Sequence, residues 1–167
     1  MVETEAGYQI LGTNHTSFTV SDLDRSVAFF RDCLGFTLTS RAGRDRRIIE
    51  IVVGVTGADI EVAYLTGAGH VVELIQYFSP DDRKRVQSRP CDTGFAHLAF
   101  DVVNIDALIL AAGEHGFQPL ASPVKIGSGG PNGGRRVCYM RDHDGVTIEL
   151  IESPQTAWRP APNDSTS

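Results

Sequence analysis

The sequence predicts an α+β fold: two tandem βαβββ modules forming a cupped mixed β-sheet around a metal site, with the helices on the outside. Three observations predict it. First, the chain repeats itself. HTSFTVSDLDRSVAFFRDCLGF from His15 and HLAFDVVNIDALILAAGEHGF from His97 superpose on a shift of 82, which aligns Val20 with Val102, Leu23 with Ile105 and Asp24 with Asp106. A one-residue gap brings Gly35-Phe36 onto Gly116-Phe117, and VVELIQY (71–77) matches VTIELIE (146–152). A repeat this long is a duplicated supersecondary unit rather than a solenoid. Second, the apolar period switches between strand and helix values in the same order in each half. Third, a histidine and a glutamate recur at matching places: His15 and Glu73 are 58 residues apart, His97 and Glu149 are 52 apart.

Residues 1–9 read as a flexible tail. TNHTSFTV (13–20) alternates, with Phe18 and Val20 on one face and His15, Ser17 and Thr19 on the other, as strand side chains do. Ser21 is expected to cap the next helix with Asp24 as the reciprocal residue of a capping-box variant. Leu23, Val27, Phe30 and Leu34 form its apolar stripe, and Gly35 supplies the left-handed residue that ends it. Strand-like stretches follow at 36–42, 58–66 and 70–78, with Glu73 facing away from Val72 and Leu74. RDRRIIEIVVGVTG (44–57) reads as a loop over the mouth of the cup. The first module thus spans 10–80, and 81–92 form a linker whose Arg83, Lys84, Arg85 and Arg89 suit the outer surface of a short helix.

The second module, 93–153, repeats the plan, and the two together form one domain. FAHLAFDV (95–102) sets Leu98, Phe100 and Val102 against His97. Asn104 caps a helix with the stripe Ile105, Leu108, Ile109 and Ala112, and Gly116 ends it. Strands are expected at 117–121, 135–141 and 145–152; in the last, Val146, Ile148 and Leu150 share one face while Thr147 and Glu149 take the other. GSGGPNGG (127–134) suits a mobile lid better than a phosphate cradle, because no Lys-Ser/Thr pair follows it. Residues 154–167 read as a disordered tail.

Composition narrows the function. A chain of 167 residues can bury one sizeable core, and a net charge of −6 argues against nucleic acid as a partner while leaving small anions open. Cys33, Cys91 and Cys138 are odd in number and lack CxxC spacing, which fits reduced thiols and a cytoplasmic setting. No apolar run is long enough to cross a membrane.

The chemistry is carried by His15, Glu73, His97 and Glu149. Glutamate at a strand centre is disfavoured by propensity and burial, so two at matching places need a reason. Two imidazoles and two carboxylates converging on one point would make an N₂O₂ site for one divalent ion, suited to Zn, Ni, Co, Mn or Fe(II). His70, His115 and His143 fall at turns and a helix end and are read as structural or solvent-exposed. Among Arg41, Arg44, Arg46 and Arg47, Arg47 is taken as a substrate contact, because guanidinium groups clamp carboxylates or phosphates; an equally simple role is a solvated loop face. Arg136 and Tyr139, with Arg135 beside the lid, are further candidate contacts.

With these residues in view, the chain resembles the vicinal-oxygen-chelate superfamily of glyoxalases, bleomycin-resistance proteins and extradiol dioxygenases. The likeness covers about residues 10–153 and rests on HTSFTVSDLDRSVAFFRDCLGF, GFAHLAFDV and YMRDHDGVTIELIE; it is nearest to members like glyoxalase I or methylmalonyl-CoA epimerase. The resemblance implies metal ligation by His15, Glu73, His97 and Glu149, a homodimer and a small-molecule substrate. It implies a lyase or isomerase that moves a proton next to a carbonyl through an enediolate, with Glu73 and Glu149 as the acid-base pair and Ni, Co, Zn or Mn as the metal. Two alternatives stay open. One is an Fe(II) extradiol dioxygenase using His15, His97 and Glu149, with Tyr139 where that branch keeps a substrate-contacting tyrosine; it lacks that branch's acid-base histidine, since 74–96 contain no His. The other is a metal-free binding protein of the resistance type.

Overall fold

Phe29, Phe30 and Phe36 are buried against one another in the first half of the chain, with Phe18 stacked on Phe30 at 6.3 Å and Phe36 edge-on to it at 5.6 Å. This aromatic cluster glues a helix to one face of a sheet in the computed structural model, which describes residues 7–153 and the backbone of Val2–Glu3. The chain divides after Arg83 into two compact units. Each is an α+β module of the βαβββ kind.

In the first unit, β1 (Val2–Glu3) pairs antiparallel with β2 (Gln9–Ile10). Then come β3 (Thr16–Val20), α1 (Leu23–Ala28), β4 (Thr37–Gly43), α2 (Arg46–Val53), β5 (Asp59–Gly67) and β6 (His70–Ser79). The main sheet has the order β3-β6-β5-β4, with β3 parallel to β6 and the other pairs antiparallel. α1 lies against β5 and β6 and buries Leu23 and Val27. It runs into a π-helical turn, Phe29–Cys33, where the Leu34 N–H reaches back to the Phe29 carbonyl at 3.2 Å. Gly35 then takes the expected left-handed conformation, with φ of 72°.

In the second unit, β7 (Leu98–Val102), α3 (Ile105–Glu114), β8 (Gln118–Pro119), β9 (Val124–Lys125), β10 (Arg136–Arg141) and β11 (Thr147–Glu152) repeat the plan. The sheet order is β7-β11-β10-β8, with β9 also paired to β10 and β7 parallel to β11. Ile105, Ala112, Met140, Ile148 and Leu150 form its buried layer.

The duplication extends to the helix starts. The Leu23 N–H donates to Gln76 Oε1 at 2.7 Å, and the Ile105 N–H donates to Glu152 Oε1 at 2.9 Å. Each last long strand therefore lends a side chain to an orphan N–H of its module's first helical turn, and Gln76 and Glu152 are equivalent in the repeat.

Several sequence expectations need correction. The cap of α1 is Asp22, whose carboxylate accepts the Arg25 N–H at 3.0 Å, and not Ser21. The stretch 44–57 is not all loop: Asp45 caps α2 and Gly54 closes it with φ of 67°. The strand expected over 117–121 shrinks to Gln118–Pro119, because a proline offers no N–H to extend the ladder. Residues 81–92 hold turns and irregular backbone without a helix. Ordered pairing starts at Thr16 and Leu98, so His15 and His97 each sit one position before their strand. Of the expected tails, residues 1, 4–6 and 154–167 lie outside the described residues.

Candidate functional site

Strand register decides which side chains meet. In the first unit Ser17 of β3 is opposite Glu73 of β6, so His15, two residues before Ser17, emerges on the same face as that glutamate. His15 Nε2 lies 3.2 Å from Glu73 Oε2. Tyr64 of β5 is the other direct neighbour of Glu73, and its phenolic O–H donates to Glu73 Oε1. The Tyr64 ring stands edge-on to the His15 imidazole at 5.6 Å. That hydrogen bond, and then burial, hold the Tyr64 hydroxyl above the usual phenol range, with the Arg44 guanidinium pulling the other way.

The second unit repeats the register. Ala99 of β7 is opposite Glu149 of β11, His97 lies two residues before Ala99, and His97 Nε2 is 3.1 Å from Glu149 Oε2. Tyr139 of β10 is the neighbour of Glu149 across the antiparallel pair, with its ring 4.9 Å from that of His97. Here the tyrosine makes no hydrogen bond to the carboxylate among the described residues; burial first, then the Glu149 charge, raise its pKa. Phe95 stacks on His97 at 5.9 Å, and the Arg141 guanidinium caps Phe95 at 5.4 Å. Arg141 Nε donates to Thr147 Oγ1 at 2.9 Å, while its Nη2 is buried without a hydrogen-bond partner among the described residues.

The pairs fit a divalent cation. Asn14 Oδ1 lies 2.6 Å from His15 Nδ1, and an amide oxygen there takes the Nδ1 hydrogen and leaves Nε2 as the lone-pair nitrogen. A lone pair then faces the Glu73 carboxylate, an arrangement that calls for positive charge between them: a second imidazole proton or a metal ion. Two donors about 2.1 Å from one ion, at tetrahedral or octahedral angles, sit about 3.0–3.4 Å apart. The 3.1 and 3.2 Å separations match that spacing in both modules. The four side chains are 12–31% exposed, so a small molecule can reach them.

The arginines divide differently from the expectation. Arg136 is out of phase with Tyr139 on β10 and pairs with Asp106 and Glu152, which raises its pKa further. Arg41 is bound by Asp24 and Glu61, Arg46 by Asp59, and Arg135 by Asp101. Arg47 lies exposed in the first turn of α2, where its N–H donates to Asp45. Arg44, which acts on Tyr64, is the member of that cluster beside the His15–Glu73 pair. His70 Nε2 meets Thr16 Oγ1 at 2.9 Å, and His115 ends α3.

Asp142, His143 and Asp144 also bring three ligand atoms within 4.8 Å of one another. They form the β10–β11 turn, where Asp142 Oδ1 accepts the N–H groups of Asp144 and Val146, both at 2.9 Å. Turn geometry accounts for this cluster. Sequence reasoning missed Tyr64, Asn14, Phe95 and Arg141. Tyr64 stands to Glu73 as Tyr139 stands to Glu149, an equivalence that the strand register shows and a simple sequence shift hides.

Comparison with known proteins shows the family and the fold. Residues 12–150 match the sequence profile of the Glyoxalase/Bleomycin resistance protein/Dioxygenase superfamily. A 2-epi-5-epi-valiolone epimerase from Actinomyces sp. is 33% identical over 153 residues, covering 88% of this chain and 82% of that protein. A lactoylglutathione lyase from Haemophilus influenzae is 30% identical over 149 residues, covering 85% and 93%. Among solved structures, a glyoxalase family protein from Bacillus cereus superposes with a TM-score of 0.75 at 24% identity, over 89% of this chain and 98% of its own. The fosfomycin resistance protein FosX from Listeria monocytogenes, complexed with Mn(II) and sulfate, shares the fold with a TM-score of 0.55 at 16% identity, over 89% and 97%.

Proposed function

The chain belongs to the glyoxalase/bleomycin resistance protein/dioxygenase superfamily, and on that premise we propose that it is a divalent-metal-dependent lyase or isomerase acting on a small molecule. The reaction is proton transfer at a carbon next to a carbonyl, of the epimerase or glyoxalase kind. The observation that carries this reading is the doubled constellation: in each module a histidine nitrogen and a glutamate oxygen sit at 3.1–3.2 Å with a tyrosine across from the glutamate.

His15, Glu73, His97 and Glu149 would hold one ion, with Zn, Ni, Co and Mn all suited to such N and O donors. Bound there, the ion supplies Lewis-acid stabilisation of the negative charge that grows on the substrate oxygen. The chain's own residues do the rest. The imidazoles of His15 and His97 fix the two carboxylates in place. A carboxylate of the Glu73–Glu149 pair takes the proton from the carbon, and the same or the opposite carboxylate returns it; return by the opposite one inverts the centre. Positioned acid-base groups of this kind contribute about 10²–10⁴ in rate. Tyr64 and Tyr139 wall the site beside these carboxylates and restrict the approach of water. The epimerase relative at 33% identity favours inversion, and a ring-cleaving dioxygenase would leave Glu73 without a role.

The test is solvent-deuterium exchange followed by NMR. Metal-loaded protein is incubated in D₂O with 2-epi-5-epi-valiolone and, separately, with the hemithioacetal of methylglyoxal and glutathione. Deuterium entering at the carbon beside the carbonyl, and a loss of about 10²-fold or more in Glu149→Gln, is the expected result. Oxygen uptake with catechols in place of exchange would replace this reading with ring cleavage.

A further inference from the structure

The two modules are alike in register but unlike in one hydrogen bond. Tyr64 and Tyr139 occupy the same place relative to Glu73 and Glu149. Tyr64 gives its phenolic hydrogen to Glu73 Oε1, whereas Tyr139 gives none to Glu149 among the described residues. Glu73 is thereby held at both oxygens, Oε1 by Tyr64 and Oε2 against His15 Nε2, whereas among the described residues Glu149 is held at Oε2 alone. The Tyr64 ring is itself kept in place: it lies edge-on to His15, and its backbone carbonyl accepts the Thr39 hydroxyl at 3.0 Å.

We propose that Tyr64 is a positioning residue for Glu73, fixing the orientation of the first-module carboxylate and leaving Glu149 the more freely rotating of the pair. This rests on the metal-dependent reading above. A carboxylate whose far oxygen is tied cannot rotate about its terminal bond without breaking that tie. Its near oxygen stays aimed at the point it shares with His15. Partners of ligating groups are worth about 10–100-fold in metal affinity, because they supply orientation that the ligand would otherwise lose as entropy. The same loss is not expected at Tyr139, which contributes ring packing to His97 and no bond to the carboxylate.

The experiment is a titration of wild-type protein, Tyr64→Phe and Tyr139→Phe with Co(II), read both as affinity and as the d–d absorption spectrum. Tyr64→Phe is expected to weaken Co(II) binding about tenfold or more and to alter the spectrum, while Tyr139→Phe stays within about twofold of wild type. A Glu73→Ala background supplies the second variant: there Tyr64→Phe should add little further loss, because the side chain that Tyr64 holds is gone. Equal effects of the two tyrosine substitutions, an unchanged Co(II) affinity and spectrum in Tyr64→Phe, or a full further loss in the Glu73→Ala background would each overturn the proposal. Wild-type protein that binds no Co(II) would remove the metal reading and this inference with it. Wild-type binding with an indifferent Tyr64→Phe would remove this inference alone.

Discussion

Glu73 and Glu149 each sit in mid-strand, facing away from a buried apolar row, and each is answered by a histidine from the parallel neighbour and a tyrosine from the antiparallel one. Glu73→Gln tests the charge without removing the shape, since the glutamine oxygen can still accept the Tyr64 hydroxyl. Metal affinity should fall by more than tenfold while the far-UV circular dichroism stays unchanged; an unaltered affinity would show that the Glu73 charge is not needed. The histidines and glutamates were legible in the sequence because strand alternation and the repeat put them at matching places. Tyr64 was not, because the turn between the last two strands is one residue shorter in the first module, nine positions from Tyr64 to Glu73 against ten from Tyr139 to Glu149. A shift that aligns the glutamates therefore misaligns the tyrosines. Arg47 and Arg136 were chosen by type and proximity in sequence, and only side-chain direction separates them from Arg44 and Arg141.

Helix starts, turns and close contacts make their own predictions. Asp22→Ala should cost about 1 kcal/mol in urea unfolding, the usual worth of a capping carboxylate, and Ser21→Ala within about 0.5. A methyl group at Gly67 would fall 2.6 Å from the Phe36 ring and 3.0 Å from its Cα, so Gly67→Ala should destabilise the module by about 1–3 kcal/mol. At the β10–β11 turn, burial pushes the Asp142 carboxyl above the ordinary value, against the opposing pull of two backbone N–H groups. A raised carboxyl pKa means the folded state holds that proton more tightly. Its contribution is most favourable below the unfolded value of about 4 and is lost as pH rises through the folded one. Asp142→Asn, which keeps an oxygen for both N–H groups, should therefore flatten the melting temperature against pH just above 4; an identical profile in the variant would count against the buried charge. α2 was passed over although Ile48, Ile51 and Val52 stand at i, i+3 and i+4, the spacing of a helical apolar stripe; its β-branched residues read more readily as loop or strand, and the stripe is exposed with no residue of the helix fully buried. The capping Asp45 and the terminal Gly54 marked its two ends.

At the scale of the whole molecule, duplication explains why so much was legible. Each module sets one histidine beside one glutamate at the same register, and the same repeat carries the Gln76 and Glu152 contacts to the helix starts. No helix among the described residues is long and apolar enough to cross a membrane. A ligand that binds only the folded state stabilises it by mass action, about 2.7 kcal/mol at a hundredfold excess over Kd. Removing the metal with a chelator should accordingly lower the melting temperature, and adding it back should restore it. The most direct measurement is metal content by mass spectrometry on untagged protein, for wild type, His15→Ala and His97→Ala side by side. The account predicts about one equivalent of divalent metal per chain, lost when either module's histidine is removed. A chain that holds no metal even after reconstitution, or keeps a full equivalent in either variant, would contradict it.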